Sequence, residues 1–348
     1  MRTLARAPDW GKPLPPAFLG TLITPNQSAN SYSVIDVASN SIIYDKVSTP
    51  YPRDIVYGDG YFGMTFNNTG ASPWDGYVLF LDRYGVAVKT VEIPDTGNVF
   101  LSNIAYGDGY FVVCEQIGNA FTFISSTTLE IVGRVVVNPG FTSYMYAEII
   151  YVADDNCFYF ATNDKTTDYD YFVYKIDAST LALSQVHRIG DNGSYSITGM
   201  AYDAARHRLF TSHVTSAFGN VGVVAYNLDT WATDGTITQS SGSFDAPEIS
   251  ITGDVFCISN PIGSVYSYDI SQTPASWAIA QYVNIPAVSS VCHMYDSFYA
   301  STQAIAGGGQ VFIYKLNLSE AAILNAPGIS LSLPSSYADT IAFAPIAD

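Results

Sequence analysis

The stretch IVYGDGYF at residues 55–62 returns as IAYGDGYF at 104–111, forty-nine positions further along the chain. Each copy is an apolar run, a turn made of Gly and Asp, and a second apolar run, which is the pattern of a β-hairpin. Degenerate copies follow: IIYVADDNCFYF from 149, MAYDAARHRLF from 200, ISITGDVFCI from 249 and SVCHMYDSFYA from 290.

A second series interleaves with the first. YSVIDVAS, YVLFLDRYG, FTFISSTT, FVYKIDAST, VVAYNLDTW, VYSYDISQT and VFIYKLNLS are alternating strands that end in a turn residue. The turn positions are read as Asp36, Asp82, Ser125, Asp177, Asp229, Asp269 and Asn317, 40 to 52 residues apart. A four-stranded unit of this period, repeated seven times, predicts an all-β fold: a seven-bladed β-propeller with four antiparallel strands per blade. The ends complement each other. DTIAFAPIAD at 339–348 reads as an innermost strand with nothing after it, and AFLGTLITP, SYSVIDVAS and SIIYDKVS near the start read as the other three strands of the same blade. Closure by the C-terminal strand would remove an exposed sheet edge. The organisation expected is therefore an extended Pro-rich arm over 1–17 and one propeller domain over 18–348.

The segment SVIDVASNSIIYDKVSTPYPRDIVYGDGYFGMTFNN resembles the YVTN-type seven-bladed propellers, whose repeat runs V-I-D, a Thr-containing turn, a V/I-rich strand, Pro, a second strand, D-G and Y-V-T-N. YFGMTFNN and YFVVCEQ stand where Y-V-T-N would, and the Pro-Asp-Gly turn is missing. The resemblance implies the fold; propellers host hydrolases, lyases, sensors and scaffolds, so it implies no single activity.

Composition narrows the function classes. The chain has 31 acidic and 14 basic residues, net −17, and only Arg206, Arg208 and Lys315 are basic after residue 200. Phosphate backbones and anionic membrane surfaces both require clustered Lys and Arg, so nucleic acid is excluded as a partner. No apolar run approaches membrane-spanning length and the opening lacks the apolar core of a secretory signal, so cytoplasmic synthesis without membrane insertion is expected. Cys114, Cys157, Cys257 and Cys292 lie in apolar strand contexts without metal-ligand spacing and are expected to remain free thiols. The Asn-x-Ser/Thr matches at Asn26, Asn67, Asn192 and Asn317 are read as chance.

No catalytic constellation stands out. The inner strands offer Tyr57, Tyr106, Tyr151, Tyr202 and His293 in place of a repeated carboxylate set, and His187, His207, His213 and His293 lack metal-ligand spacing. No cofactor is expected. The acidic loop NDKTTDYDY, with Asp164, Asp168 and Asp170, could offer oxygen ligands to Ca²⁺, but it lacks the Gly and Glu of an EF-hand loop and reads first as a solvated turn. The more regular feature is aromatic. Tyr51, Phe100, Tyr144 with Tyr146, Tyr195, Phe244 and Tyr337 precede successive inner strands, and Trp74 lies in a long polar loop predicted at the same end. Two readings stand: rings wedged between blades as packing, or a face for protein or carbohydrate contact.

The arm MRTLARAPDWGKPLPPA has four prolines and is locally basic. Arg2, Leu4, Arg6 and Trp10 could dock on an acidic, partly apolar surface of another subunit. The function expected is a non-catalytic structural or interaction propeller, in particular a tail, hub or capsid-attached component of a bacteriophage virion. The alternatives are a propeller hydrolase or lyase acting on a sugar or lactone, and a carbohydrate-binding propeller.

Overall fold

The computed structural model describes residues 20–26, 30–36, 41–68, 75–94, 99–116, 118–137, 148–164, 170–190, 195–215, 220–240, 249–252, 254–260, 264–271, 277, 279–284, 288–294, 297–302, 311–317, 329–333 and 342–345. These residues form strands and turns, with no helix among them.

In chain order the strands are β1 (Gly20–Asn26), β2 (Ser31–Asp36) and β3 (Ser41–Ser48), then β4 (Pro52–Gly58), β5 (Tyr61–Asn68), β6 (Asp75–Asp82) and β7 (Ala87–Glu92). Next come β8 (Leu101–Gly107), β9 (Tyr110–Glu115), β10 (Ala120–Ser125) and β11 (Ile131–Val136), followed by β12 (Glu148–Val152), β13 (Cys157–Asp164), β14 (Asp170–Asp177) and β15 (Leu183–Gly190). They continue with β16 (Tyr195–Asp203), β17 (Arg208–Thr215), β18 (Asn220–Asn227), β19 (Thr233–Ser240), β20 (Ile249–Thr252), β21 (Val255–Asn260), β22 (Ser264–Asp269) and β23 (Ile279–Asn284). The last are β24 (Val288–Met294), β25 (Ser297–Thr302), β26 (Val311–Asn317), β27 (Ile329–Leu333) and β28 (Ala342–Pro345).

Among the described residues they make seven four-stranded antiparallel sheets, six of them consecutive runs from β4 to β27. The seventh has the order β28-β1-β2-β3, with Gly20 opposite Pro345 and Ile23 opposite Ala342. Each sheet is open. The first strands of successive sheets lie beside one another, from β4 through β8, β12, β16 and β20 to β24.

Burial falls from the first strand of a sheet to the last. β8 and β9 are buried almost throughout, whereas in the fourth strands β7 and β11 mainly every second side chain is covered, leaving Val88, Val132 and Val136 exposed. An inner strand is covered by sheets on both faces and so reads as a continuous apolar run; an outer strand is wet on one side and alternates. The cores lie between sheets. Phe80 meets Phe111 edge-on at 5.0 Å, and Phe121 meets Phe160 at 4.3 Å, each pair drawn from neighbouring sheets. Burying one such ring contributes about 1.5–3 kcal/mol.

The recurrence of YGDGYF now has a physical cause. Asp59 and Gly60 take φ of 48° and 84°, and Asp108 takes 46° before Gly109 at 77°. Two successive positive φ values make the mirror-image turn that suits a twisted hairpin, and Asp-Gly tolerates it best. The preceding glycine answers to the next sheet. A Cβ on Gly58 would lie 2.1 Å from the Tyr106 ring, and one on Gly107 would lie 2.0 Å from the Tyr151 ring. Tyr106 and Tyr151 therefore each pack on the glycine of the hairpin before them.

The turns after the third strands follow a second rule. Asp177 Oδ1 accepts the amide hydrogens of Ser179 (3.0 Å) and Thr180 (2.7 Å), and the Leu181 N–H closes on the Asp177 carbonyl at 2.8 Å. In the next sheet the same place is taken by Asn227, whose Oδ1 accepts from Asp229 and Thr230 at 3.0 Å each, with Trp231 N–H on the Asn227 carbonyl. This corrects the sequence reading, which put Asp229 in that role. Asp229 instead meets His207 Nδ1 at 3.0 Å. Side-chain oxygens of both Asn and Asp can cap such a turn, so the sequence pattern could be matched two residues out of register.

Candidate binding site at the loop end

Antiparallel register puts the two kinds of tight turn at one end of each sheet: Gly58 pairs with Tyr61, and Tyr61 with Asp82. The connections from second to third strand and from sheet to sheet therefore lie at the other end, called here the loop end. Tyr51 and Phe100 stand there, just ahead of β4 and β8. Their ring centroids are 6.2 Å apart at 60°, so entry loops of adjacent sheets touch. The Arg53 guanidinium lies over both rings, 5.7 Å from the centroid of Tyr51 and 5.2 Å from that of Phe100. All three side chains are half-buried.

A break in register builds this cluster. Pro52 pairs with Phe66 and Asp54 with Thr65, so Arg53 is an extra residue in β4. Such a bulge re-aims its side chain and steepens the local twist. Tyr51 is held at a positive φ of 40°, with its N–H donated to Asn30 Oδ1 at 2.9 Å and its carbonyl accepting from Asn67 N–H at 3.2 Å. Two hydrogen bonds, one from each of two other segments, thus fix a backbone position that a bulky residue would not otherwise adopt.

Next to Arg53 the inner strands carry polar groups that sequence reasoning missed. Asp54, Asn103 and Glu148 stand just ahead of the matching residues Ile55, Ile104 and Ile149 of three successive sheets. Asp54 and Glu148 are buried. Asp54 Oδ2 accepts the Ile104 N–H at 2.7 Å, and Asn103 Nδ2 donates to Glu148 Oε2 at 2.9 Å. The expectation that inner strands lack a repeated carboxylate position is thereby corrected for these sheets. The signal in the sequence is the residue just before the repeated Ile-x-Tyr, at Asp54, Asn103 and Glu148. These groups serve the fold first, since an inner strand is a sheet edge whose free amides need acceptors.

The remaining electrostatics are structural as well. Glu115 is fully buried and takes a bidentate pair from Arg134, Nε to Oε1 at 2.9 Å and Nη2 to Oε2 at 2.6 Å, with Thr122 Oγ1 on Oε1 at 2.5 Å. The carboxylate in turn holds the Arg134 pKa above its ordinary value. At the turn end Tyr202 donates across the sheet boundary to Asp154, and Ser126 Oγ donates to Asp59 Oδ2 at 2.6 Å. Burial raises the Tyr106 and Tyr202 phenols, and the neighbouring Asp59 and Asp154 carboxylates add to it. His187 stacks on Trp231 at 5.1 Å, and burial lowers its pKa.

Of the aromatic residues predicted to share a face, Tyr51 and Phe100 are brought together. Tyr195 opens β16. Trp74, Tyr144, Tyr146, Phe244 and Tyr337 lie outside the described residues, as do the arm positions Arg2, Leu4, Arg6 and Trp10. Asp164 and Asp170 face each other as strand partners across β13 and β14, while Asp168 is outside the described residues. Among the described residues no group of three or more His, Cys, Asp and Glu is placed to hold a metal ion, and Cys114, Cys157 and Cys257 are buried thiols outside any disulfide.

No protein-family model matches the chain, and no curated protein matches it in sequence. Solved structures do match in shape. A hypothetical selenium-binding protein from Sulfolobus tokodaii superposes with a TM-score of 0.69 at 11% identity, covering 95% of this chain and 94% of that one. Kuenenia stuttgartiensis hydrazine synthase gives 0.64 at 14% identity, over 85% of this chain and 92% of that one. The Cps50 (Swd1) β-propeller domain of Myceliophteria thermophila gives 0.56 at 10% identity, over 77% and 84%. Identity this low carries the architecture and nothing of the chemistry. Together with the stacked four-stranded sheets, these likenesses make the chain a β-propeller.

Proposed function

We propose that this chain is a seven-bladed propeller, closed where β28 joins the three N-terminal strands, that works by binding at its loop end and catalyses no reaction. The count is supported by the seven sheets found among the described residues and by the pairing of β28 with β1. Contact between β3 and β27 supports closure of the ring. The observation that carries the binding reading is the half-exposed Tyr51–Arg53–Phe100 cluster at the loop end. Aromatic side chains and Arg are the residue types enriched where surfaces meet partners.

The setting we favour is a bacteriophage virion, with the protein as a tail, hub or capsid-attached component and other virion proteins as partners. It is supported by the Gly- and Tyr-rich, strongly acidic composition and by the basic arm ahead of residue 18. The test is to delete residues 1–17 and, separately, to replace Tyr51 and Phe100 by Ala, then follow incorporation into particles when the protein is produced with the products of its flanking genes. Both variants should keep the parent melting temperature within a few degrees and lose incorporation. Unfolding on deletion would make the arm an internal strap, and full incorporation of both variants would overturn the binding reading.

A further inference from the structure

Four basic residues among the described ones form ion pairs with carboxylates. Among the described residues Lys89 meets Glu130, Arg134 meets Glu115, Arg206 bridges Asp203 and Asp254, and Arg208 meets Asp234. Arg53 differs. It lies over two aromatic rings, and no described carboxylate pairs with it. Lys175 and Arg208 each lie over one ring, Tyr159 and Trp277, but Arg53 lies over two, in a protein of net charge −17 where acceptors are abundant. A ring below a guanidinium holds it by the quadrupole and uses none of its five N–H donors. The bulge at Arg53 fixes the backbone beneath it, so the side chain is preorganised with its hydrogen-bonding edge still open.

Resting on the binding reading above, we propose that Tyr51, Arg53 and Phe100 form a subsite for a carboxylate-bearing sugar, a uronic-acid residue within a glycan. The carboxylate takes the fork of Arg53 in the bidentate geometry that guanidinium favours, and the apolar face of the pyranose lies against the two tilted rings. The protein's overall charge selects within the class. A polyanion is repelled as a whole, whereas one carboxylate on a neutral chain meets mainly the local cation, since charges beyond a Debye length of about 8–10 Å are screened.

The experiment is calorimetric titration of the whole protein with a xylo-oligosaccharide carrying one glucuronate, against the same oligosaccharide without it and against inorganic phosphate. The expected result is binding of the glucuronate-bearing chain alone, weakened about tenfold or more in Arg53→Gln and partly kept in Arg53→Lys, with melting temperatures near the parent's. Equal binding of the unsubstituted chain would leave the loop end a sugar-binding face and overturn the carboxylate subsite. Binding of phosphate as strong as glucuronate would reduce the site to a general anion site and overturn the sugar class. If no sugar binds the parent while Tyr51→Ala/Phe100→Ala still abolishes particle incorporation, the subsite is refuted and the protein-binding reading survives. A large fall in melting temperature for both Arg53 variants, with unchanged titrations, would make Arg53 an inter-sheet packing residue.

Discussion

Asn67 in β5 holds the main chain of Leu101 in β8 from both sides: Leu101 N–H donates to Asn67 Oδ1 at 2.7 Å, and Asn67 Nδ2 donates to the Leu101 carbonyl at 2.9 Å. One side chain thus satisfies the donor and the acceptor of a buried residue at the free edge of the next sheet. Thr65 adds a hydroxyl donated to the Ser102 carbonyl at 3.4 Å, and Asp54 accepts from Ile104. Asn67→Ala should leave two buried backbone groups without partners and cost about 2–4 kcal/mol. Asn67→Asp should cost at least as much, because it keeps the acceptor and brings a second oxygen against the Leu101 carbonyl. Urea unfolding of the two variants checks this; a loss below 0.5 kcal/mol, roughly the size of an ordinary surface change, would show that the pair does not bind the sheets together.

The Glu115–Arg134 pair makes a different claim. Glu115 is fully buried while the Arg134 side chain is 29% exposed, so removing the arginine strands a charge that water cannot reach. Arg134→Ala should cost about 3 kcal/mol, the low end for a broken buried pair because the cation is partly wet. The double variant Glu115→Met/Arg134→Leu should recover most of that loss. A double-mutant cycle in denaturant measures the coupling directly.

The turn after β14 can be tested against the molecule's own variant. Asn227 makes with its Oδ1 the same set of bonds that Asp177 makes, including one from the threonine hydroxyl three residues on. Those bonds hold the Asp177 carboxyl below the usual carboxylate range. Asp177→Asn should therefore keep the parent melting temperature at neutral pH, and Asp177→Ala should lower it. Because the folded pKa is depressed, the carboxylate's contribution is present above the ordinary Asp value near 4 and fades as pH falls through the folded value. The Asn variant, which cannot titrate, should lose that part of the acid dependence.

Alkaline pH should act on the buried tyrosines. Burial pushes Tyr226 up to about 12, and Tyr106, Tyr159 and Tyr202 are raised by burial together with an adjoining Asp59, Asp155 or Asp154. An unfolded tyrosine ionises near 10, so above about pH 10 the unfolded chain releases protons that the folded one keeps. Stability from these groups is complete below about pH 10 and falls as pH rises, by about 1.4 kcal/mol for each pH unit from Tyr226 alone. Phenolate absorbance should show a subset of the 26 tyrosines that titrates only on unfolding. A single titration of all of them near pH 10 would contradict the buried phenols.

Much of this molecule is written locally. A hairpin needs only its own residues, so YGDGYF at 57–62 and 106–111 announces strand, mirror-image turn and strand without reference to the rest of the chain. Seven repeats of a four-strand pattern, and ends that supply three strands and one, follow by counting. What the sequence could not show is which groups meet between sheets, because those contacts join residues 34 to 67 positions apart, from Asn67 and Leu101 to Ser126 and Asp59. Register decides them. At the one-residue bulge the Arg53 guanidinium lies over rings from two loops, while Asp54 beside it accepts from the next sheet. Side chains on a strand alternate faces with every residue, so a single extra residue changes which face a group serves. That shift leaves the apolar pattern of the strand intact, and for this reason only the tertiary structure shows it.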